Sequence, residues 1–199
     1  MTDVVDRMHA SVVSTPPADT IADPGPLGLA AFAMTTFFLS AYNAHLITGG
    51  ESVVLGLALA YGGVAQLLAG MWEFRKGNTF GALAFTSYGA FWISFWSLLT
   101  FSKDATGHSV GLFLLGWTIF TAYMTVASMK TSGAVLAVFV FLTVTFLFLT
   151  IGAMGGNTSM TKVGGWLGLA TAVIAWYASF AGVTNATWKR TVLPTWPMS

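Results

Sequence analysis

The side chains able to do chemistry in this chain are few, and most carry no charge. Thr35, Thr36, Ser40 and Asn43 crowd one otherwise apolar stretch, and on a helix Phe32, Thr36, Leu39 and Asn43 share a face. Polar groups in such a setting turn inward, toward a neighbouring helix or a water-filled path. The hydroxyls of Thr35, Thr36 and Ser40 can also bond their own helix's carbonyls, so packing and conduit both stay open for them. Asn43, with a larger amide to satisfy, points to a polar lumen, and Gln66 is a further amide in an apolar segment. His45 is the ionisable side chain expected inside an apolar segment; near its outer end, it either faces the interface or couples protons. Glu73 ends another such segment beside Arg75 and Lys76, where ion pairing or capping of the turn competes with a proton relay.

Other constellations are missing. The sequence offers no His/carboxylate group at metal spacing, no Gly-Lys-Ser phosphate loop and no assembled Ser/His/Asp set, so enzyme and primary-pump readings lack their machinery and no metal or cofactor is expected. Zero Cys excludes disulfides and thiolate metal sites. A net charge of +1 gives no basic patch for nucleic acid.

What must position these groups is a set of membrane helices. The 199 residues are 55% hydrophobic, 15% aromatic and only 8% charged, against roughly 25% charged in an ordinary soluble domain. An ionised side chain at mid-bilayer costs a few kcal/mol or more, and a spanning helix needs about 20 apolar residues. The uncharged intervals between Asp23, Glu51, Glu73, Lys76, Lys103, Lys130, Lys162 and Lys189 are therefore the spans. They predict an all-α membrane protein, six helices in a compact bundle, near 27–48, 53–73, 79–101, 108–129, 132–153 and 163–185.

An even number of spans puts both termini on one side. If that side is cytoplasmic, Arg7, Arg75, Lys76, Lys130, Lys189 and Arg190 lie inside and only Lys103 and Lys162 outside, as the positive-inside rule favours. Residues 1–22, polar, acidic and Pro-containing, show no secretory signal and are expected to be a disordered cytoplasmic tail. Residues 23–188 form the helical domain, and 189–199 a cytoplasmic C-terminal tail. Short connections pair the spans as hairpins, first with second, third with fourth, fifth with sixth.

Small residues recur at four-residue spacing: Ala58, Gly62, Gln66 and Gly70, then Gly107 and Gly111, Gly152 and Gly156, Gly164 and Gly168. In lipid such stripes let backbones approach closely, within a protomer or between protomers. The third span carries Phe85, Tyr88, Trp92, Phe95 and Leu99 along one stripe, which periodicity assigns to core, lipid or pore alike. Nothing in the period of the fifth span selects Leu142. At the first span, two prolines in Asp23-Pro24-Gly25-Pro26-Leu27-Gly28-Leu29 fix an extended lead-in. The unpaired N–H groups that follow, at Leu27 and Gly28, are either an ordinary helix start or a carboxylate-binding element.

The chain resembles the acetate uptake transporter family, the succinate-acetate permeases. DPGPLGL is similar to that family's N-P-x-P-L-G-L signature, and YGGVAQLLAG, EFRKGNTFG, AFTSYGAFW, FLTVTF, GGWLGL and RTVLP follow in collinear order from about residue 23 to 194. The resemblance implies a six-helix protomer in a homo-hexamer, similar to the proton-gated urea channels, with one pathway per protomer. It implies plasma-membrane passage of acetate, and in some members succinate, by channel-like or proton-coupled transport. By motif position it places a hydrophobic constriction on Phe32, Tyr88 and Leu142. Asp23 departs from the signature's Asn and adds negative charge near the cytoplasmic mouth. From these readings come vestibules lined by Thr35, Thr36, Asn43 and Gln66, with Tyr88 lending its hydroxyl to a passing carboxylate. A channel for small neutral amides such as urea, and a non-transporting membrane sensor, are the alternatives.

Overall fold

A computed structural model describes residues 21–49 and 51–198. Among the described residues, six helices are long and apolar enough to cross a membrane: α1 Gly25–Asn43, α2 Ser52–Lys76, α3 Thr79–Phe101, α4 Gly107–Ser128, α5 Gly133–Gly155 and α6 Thr158–Trp188. The charge-bounded intervals thus hold as spans, and the ends move for local reasons. α1 stops at Asn43, where His45 takes φ 58° and the chain bends away. α6 is 31 residues long because it begins before Lys162. Gly156 turns the chain at φ 60° and the Asn157 side chain accepts the N–H groups of Ser159 and Met160, so capping, not charge, sets that start. Most of the expected disordered tail, 1–20, lies outside the described residues.

The same local chemistry ends α2. Gly77 adopts φ 79°, its N–H donates to the Phe74 carbonyl and the Asn78 N–H to that of Glu73, after which Asn78 caps α3 by accepting from Gly81. Within α2, Ala60–Ala65 form a wider π turn. Insertions of this kind shift the phase of all later residues, and here they leave Gly62, Gln66, Gly70 and Glu73 all buried.

The helices close in a ring, each packed on its chain neighbours and α6 returning to α1. Tight crossings sit at small residues. A methyl on Gly165 would lie 2.7 Å from the Asn43 carbonyl carbon, one on Gly62 2.6 Å from the Thr35 hydroxyl, and one on Gly89 2.7 Å from the Leu67 nitrogen. Hydroxyl pairs add to the α4–α5 contact, Thr118 with Thr150 at 3.1 Å and Thr125 with Thr143 at 2.8 Å. One junction differs. The expected hairpin of α3 and α4 is the loosest in the ring, because Phe91 stacks on Phe113 and meets Trp117, and these large rings hold the backbones apart.

The C-terminal segment is not a free tail. Asn185 accepts from Val192 and Leu193 and donates to the Leu193 carbonyl; Tyr177 donates to Pro194; the N–H groups of Gly133 and Ala134 donate to Trp196 and Thr195. The segment thereby caps α5.

Overpacking a tight crossing costs about 1–3 kcal/mol. Gly165→Leu is expected to lower the melting temperature of the detergent-solubilised protein by several degrees, whereas Gly116→Ala, with open space around it, leaves it nearly unchanged. Thermal unfolding followed by tryptophan fluorescence checks both.

Candidate functional site: two cavities meeting at an apolar girdle

Among the described residues, two cavities inside the ring stand out. The larger, about 360 Å³, is lined at the end of the bundle where α1 begins and α6 ends by Asp23, Gln66, Glu73, Lys76, Asn78, Ser132 and Asn185 among others. The smaller, about 210 Å³, is lined at the opposite end by Thr36, Ser40, Asn43, Trp92, Thr145 and Thr161 among others. Phe32 and Leu142 line both cavities, and so mark the level at which they meet.

That level is buried and apolar. Phe32, Tyr88 and Leu142 are 5%, 3% and 3% exposed, and the Phe32 ring lies 5.8 Å from that of Tyr88. Tyr88 is fixed from behind by Trp117, Phe120 and Phe139. Its hydroxyl lies 2.8 Å from that of Thr121, and Thr121 donates its one proton to the Trp117 carbonyl at 2.7 Å. The Tyr88 O–H is therefore the donor of the pair. In this structure the hydroxyl expected to serve a passing carboxylate is hydrogen-bonded to Thr121 of α4.

Buried polar atoms without a partner among the described residues mark both cavities. Gln66 Oε1 and Glu73 Oε2 belong to lining residues of the larger, Thr36 Oγ1 and Trp92 Nε1 to lining residues of the smaller. Trp92 was legible in sequence only as a member of an aromatic stripe; its signal was a large indole in an apolar span, whose N–H requires an acceptor. Asn78 and Asn185 also reach the larger cavity, one from a cap and one from the helix-to-tail contact.

The other residues singled out by sequence fall elsewhere. Thr35 donates to the Ala31 carbonyl and fills the contact with Gly62, so it packs α1 on α2 and lines neither cavity. Leu27 is 45% exposed on the outer surface. Gly28 is covered by the Phe85 ring, 2.6 Å from where a methyl would stand. At the start of α1, Asp23 accepts the Gly25 N–H, and the Gly28 N–H makes the ordinary helical bond to the Pro24 carbonyl. The extra negative charge of Asp23 is met by Lys76, 2.7 Å away. His45 is exposed beyond the end of α1, outside any span, because the helix ends before reaching it.

The arrangement is an hourglass with neutral donors on both sides of a girdle that carries no charge. Residues 6–199 match the family model described as the GPR1/FUN34/yaaH family. The chain belongs to this family. It is 44% identical over 181 residues to "Ammonia transport outward protein 2" of Saccharomyces cerevisiae, covering 85% of this chain and 64% of that protein, so it spans just under two thirds of that relative. It is 39% identical over 179 residues to "Succinate-acetate/proton symporter SatP" of Escherichia coli K12, covering 87% and 95% of the two. The bacterial acetate channel SatP has a similar solved structure, with a TM-score of 0.85, 37% identity, and coverage of 88% of this chain and 99% of that one. The GPR1/FUN34/yaaH fold is thus shared along nearly the whole membrane domain.

Because the Tyr88 hydroxyl is bonded to Thr121, Tyr88→Phe is expected to lose one buried hydrogen bond, about 0.5–1.5 kcal/mol of stability, with no added solute leak. Thermal unfolding together with dye retention in reconstituted liposomes separates the two effects.

Proposed function

We propose that the protein carries acetate and other small carboxylates such as succinate across the plasma membrane, along one path through each protomer of a homo-hexamer, with both termini in the cytoplasm. The observation that carries this reading is the hourglass itself. Phe32 and Leu142 line both cavities, so a solute crossing the interior must pass them. A constriction of apolar side chains obstructs hydrated ions by dewetting, while a small neutral acid passes it without charge. Selection is weak, by neutral groups such as Thr36, Asn43, Trp92 and Gln66, and so compatible with rapid release. No catalytic step is assigned.

Passage through such a girdle favours the protonated acid. Uptake of labelled acetate into proteoliposomes, after subtraction of protein-free liposomes, is expected to rise as the external pH falls, with succinate and lactate as competitors. Transport of urea or methylammonium with no protein-dependent acetate flux overturns the assignment in favour of a neutral-solute channel. Flux of none of these solutes favours a sensor.

Replacing Phe32, Tyr88 and Leu142 together by Ala removes the girdle and is expected to raise ion leak at least several-fold. Unchanged flux and selectivity in the same vesicles would sink the gate.

A further inference from the structure

The larger cavity holds a carboxyl for which passage of a neutral acid, as described so far, has no use. Glu73 is 1% exposed, it lines the cavity, and its Oε2 has no hydrogen-bond partner among the described residues. The Asn78 side chain hydrogen-bonds to the carboxyl. Lys76, one turn on along α2, is held by Asp23 of the α1 lead-in at 2.7 Å. Facing it from α3 are Asn78 and Gly81, and a methyl on Gly81 would lie 2.7 Å from the Asn78 side-chain nitrogen and 2.8 Å from the Glu73 carboxyl carbon. The cavity linings from α5 and α6, among them Val135, Gly182 and Asn185, are uncharged, so Asp23 and Lys76 are the charged groups that share this cavity with Glu73.

A second observation lies deeper in the same cavity. Gln66 precedes Glu73 by seven residues on the buried face of α2, two turns or about 10 Å toward the girdle. Its amide has an acceptor oxygen without a partner among the described residues. An amide offers one acceptor and donors side by side, which matches a protonated carboxyl better than an ionised one. The cavity therefore presents a proton-bearing group near its mouth and a receptor for the neutral acid near its base.

We propose that Glu73 exchanges a proton with the substrate's carboxylate in the larger cavity, converting an anion that arrives from the mouth into the neutral acid that the girdle passes. The inference rests on the transport reading above. In the step, the Oε2–H bond of the Glu73 carboxylic acid breaks and an O–H bond forms on the substrate, giving the acid and a Glu73 carboxylate. Water at the mouth restores the proton. In the reverse direction an acid coming through the girdle gives its proton to Glu73, and the carboxylate leaves. Charge balances throughout, so each passage moves one anion together with one proton. Linkage then requires that bound carboxylate and bound proton favour one another.

The test uses the full chain in detergent, with acetate added at matched pH and an indicator dye reading proton uptake in weak buffer. Wild type is expected to take up about one proton per bound acetate toward the alkaline end of the range, and to bind acetate less tightly as pH rises, by linkage. Glu73→Gln keeps a donor but cannot titrate, and is expected to take up none and to bind with an affinity flat in pH. Equal proton uptake by Glu73→Gln, or binding by wild type with no uptake at any pH, overturns the proposal and leaves the transport reading standing. No acetate binding by wild type overturns the transport reading, and this step with it. Where Glu73→Gln fails to fold or to bind, infrared difference spectra of wild type with ¹³C-labelled acetate decide. A protein carboxylic-acid band that changes on acetate binding supports the exchange, and its absence overturns it.

Discussion

Close approach of helix backbones at small residues is the constraint on which the rest of the structure depends. Between helices in lipid there is no water to expel, so association comes from packing and hydrogen bonds. Gly62 admits Thr35, Gly70 admits Thr86, Gly89 admits Leu67, Gly165 admits the end of α1, and Gly168 admits Ser40. Each contact draws two helices together until a Cβ would collide. The α3–α4 junction is spaced by aromatic rings instead. Both cavities are bordered by α1, α3 and α5.

Hydroxyl groups divide by whether packing uses them. Thr35, Thr118, Thr121, Thr143, Thr145 and Thr171 donate to carbonyls one turn back on their own helices, which satisfies the proton and leaves lone pairs for a neighbour. Thr36 has no such partner among the described residues and lines the smaller cavity. Two adjacent threonines on α1 thus have opposite fates. Which one faces the lumen is decided by where Gly62 of α2 sits against α1, a contact the α1 sequence cannot specify.

Charged groups collect at the end of the larger cavity. Asp23, Lys76 and Glu73 line it, with Asp23 and Lys76 engaged with one another and Glu73 held apart under Gly25 and Gly81. An exposed pair of that kind contributes little to stability. Its consequence is electrostatic: Lys76 is shared between Asp23 and the buried carboxyl, which Asn78 also meets by a hydrogen bond. The smaller cavity, by contrast, is lined by neutral side chains, so the two ends of the hourglass are chemically unlike.

Sequence alone determined the six spans, because a charge in lipid costs more than a helix end can tolerate and Glu51, Glu73, Lys76, Lys103 and Lys130 stand where spans stop. It also determined the resemblance that put Phe32, Tyr88 and Leu142 forward together, since those residues sit in recognisable motifs. Periodicity could not separate Thr36 from Thr35, could not end α1 before His45, and left Glu73 between a charged turn and a proton relay. Those distinctions are tertiary. They depend on which glycine lies opposite, on a cap at Asn157 that starts α6 ahead of Lys162, and on a π turn that sets the phase of α2. A helix sequence specifies its own faces, but only its neighbours determine which face is wet.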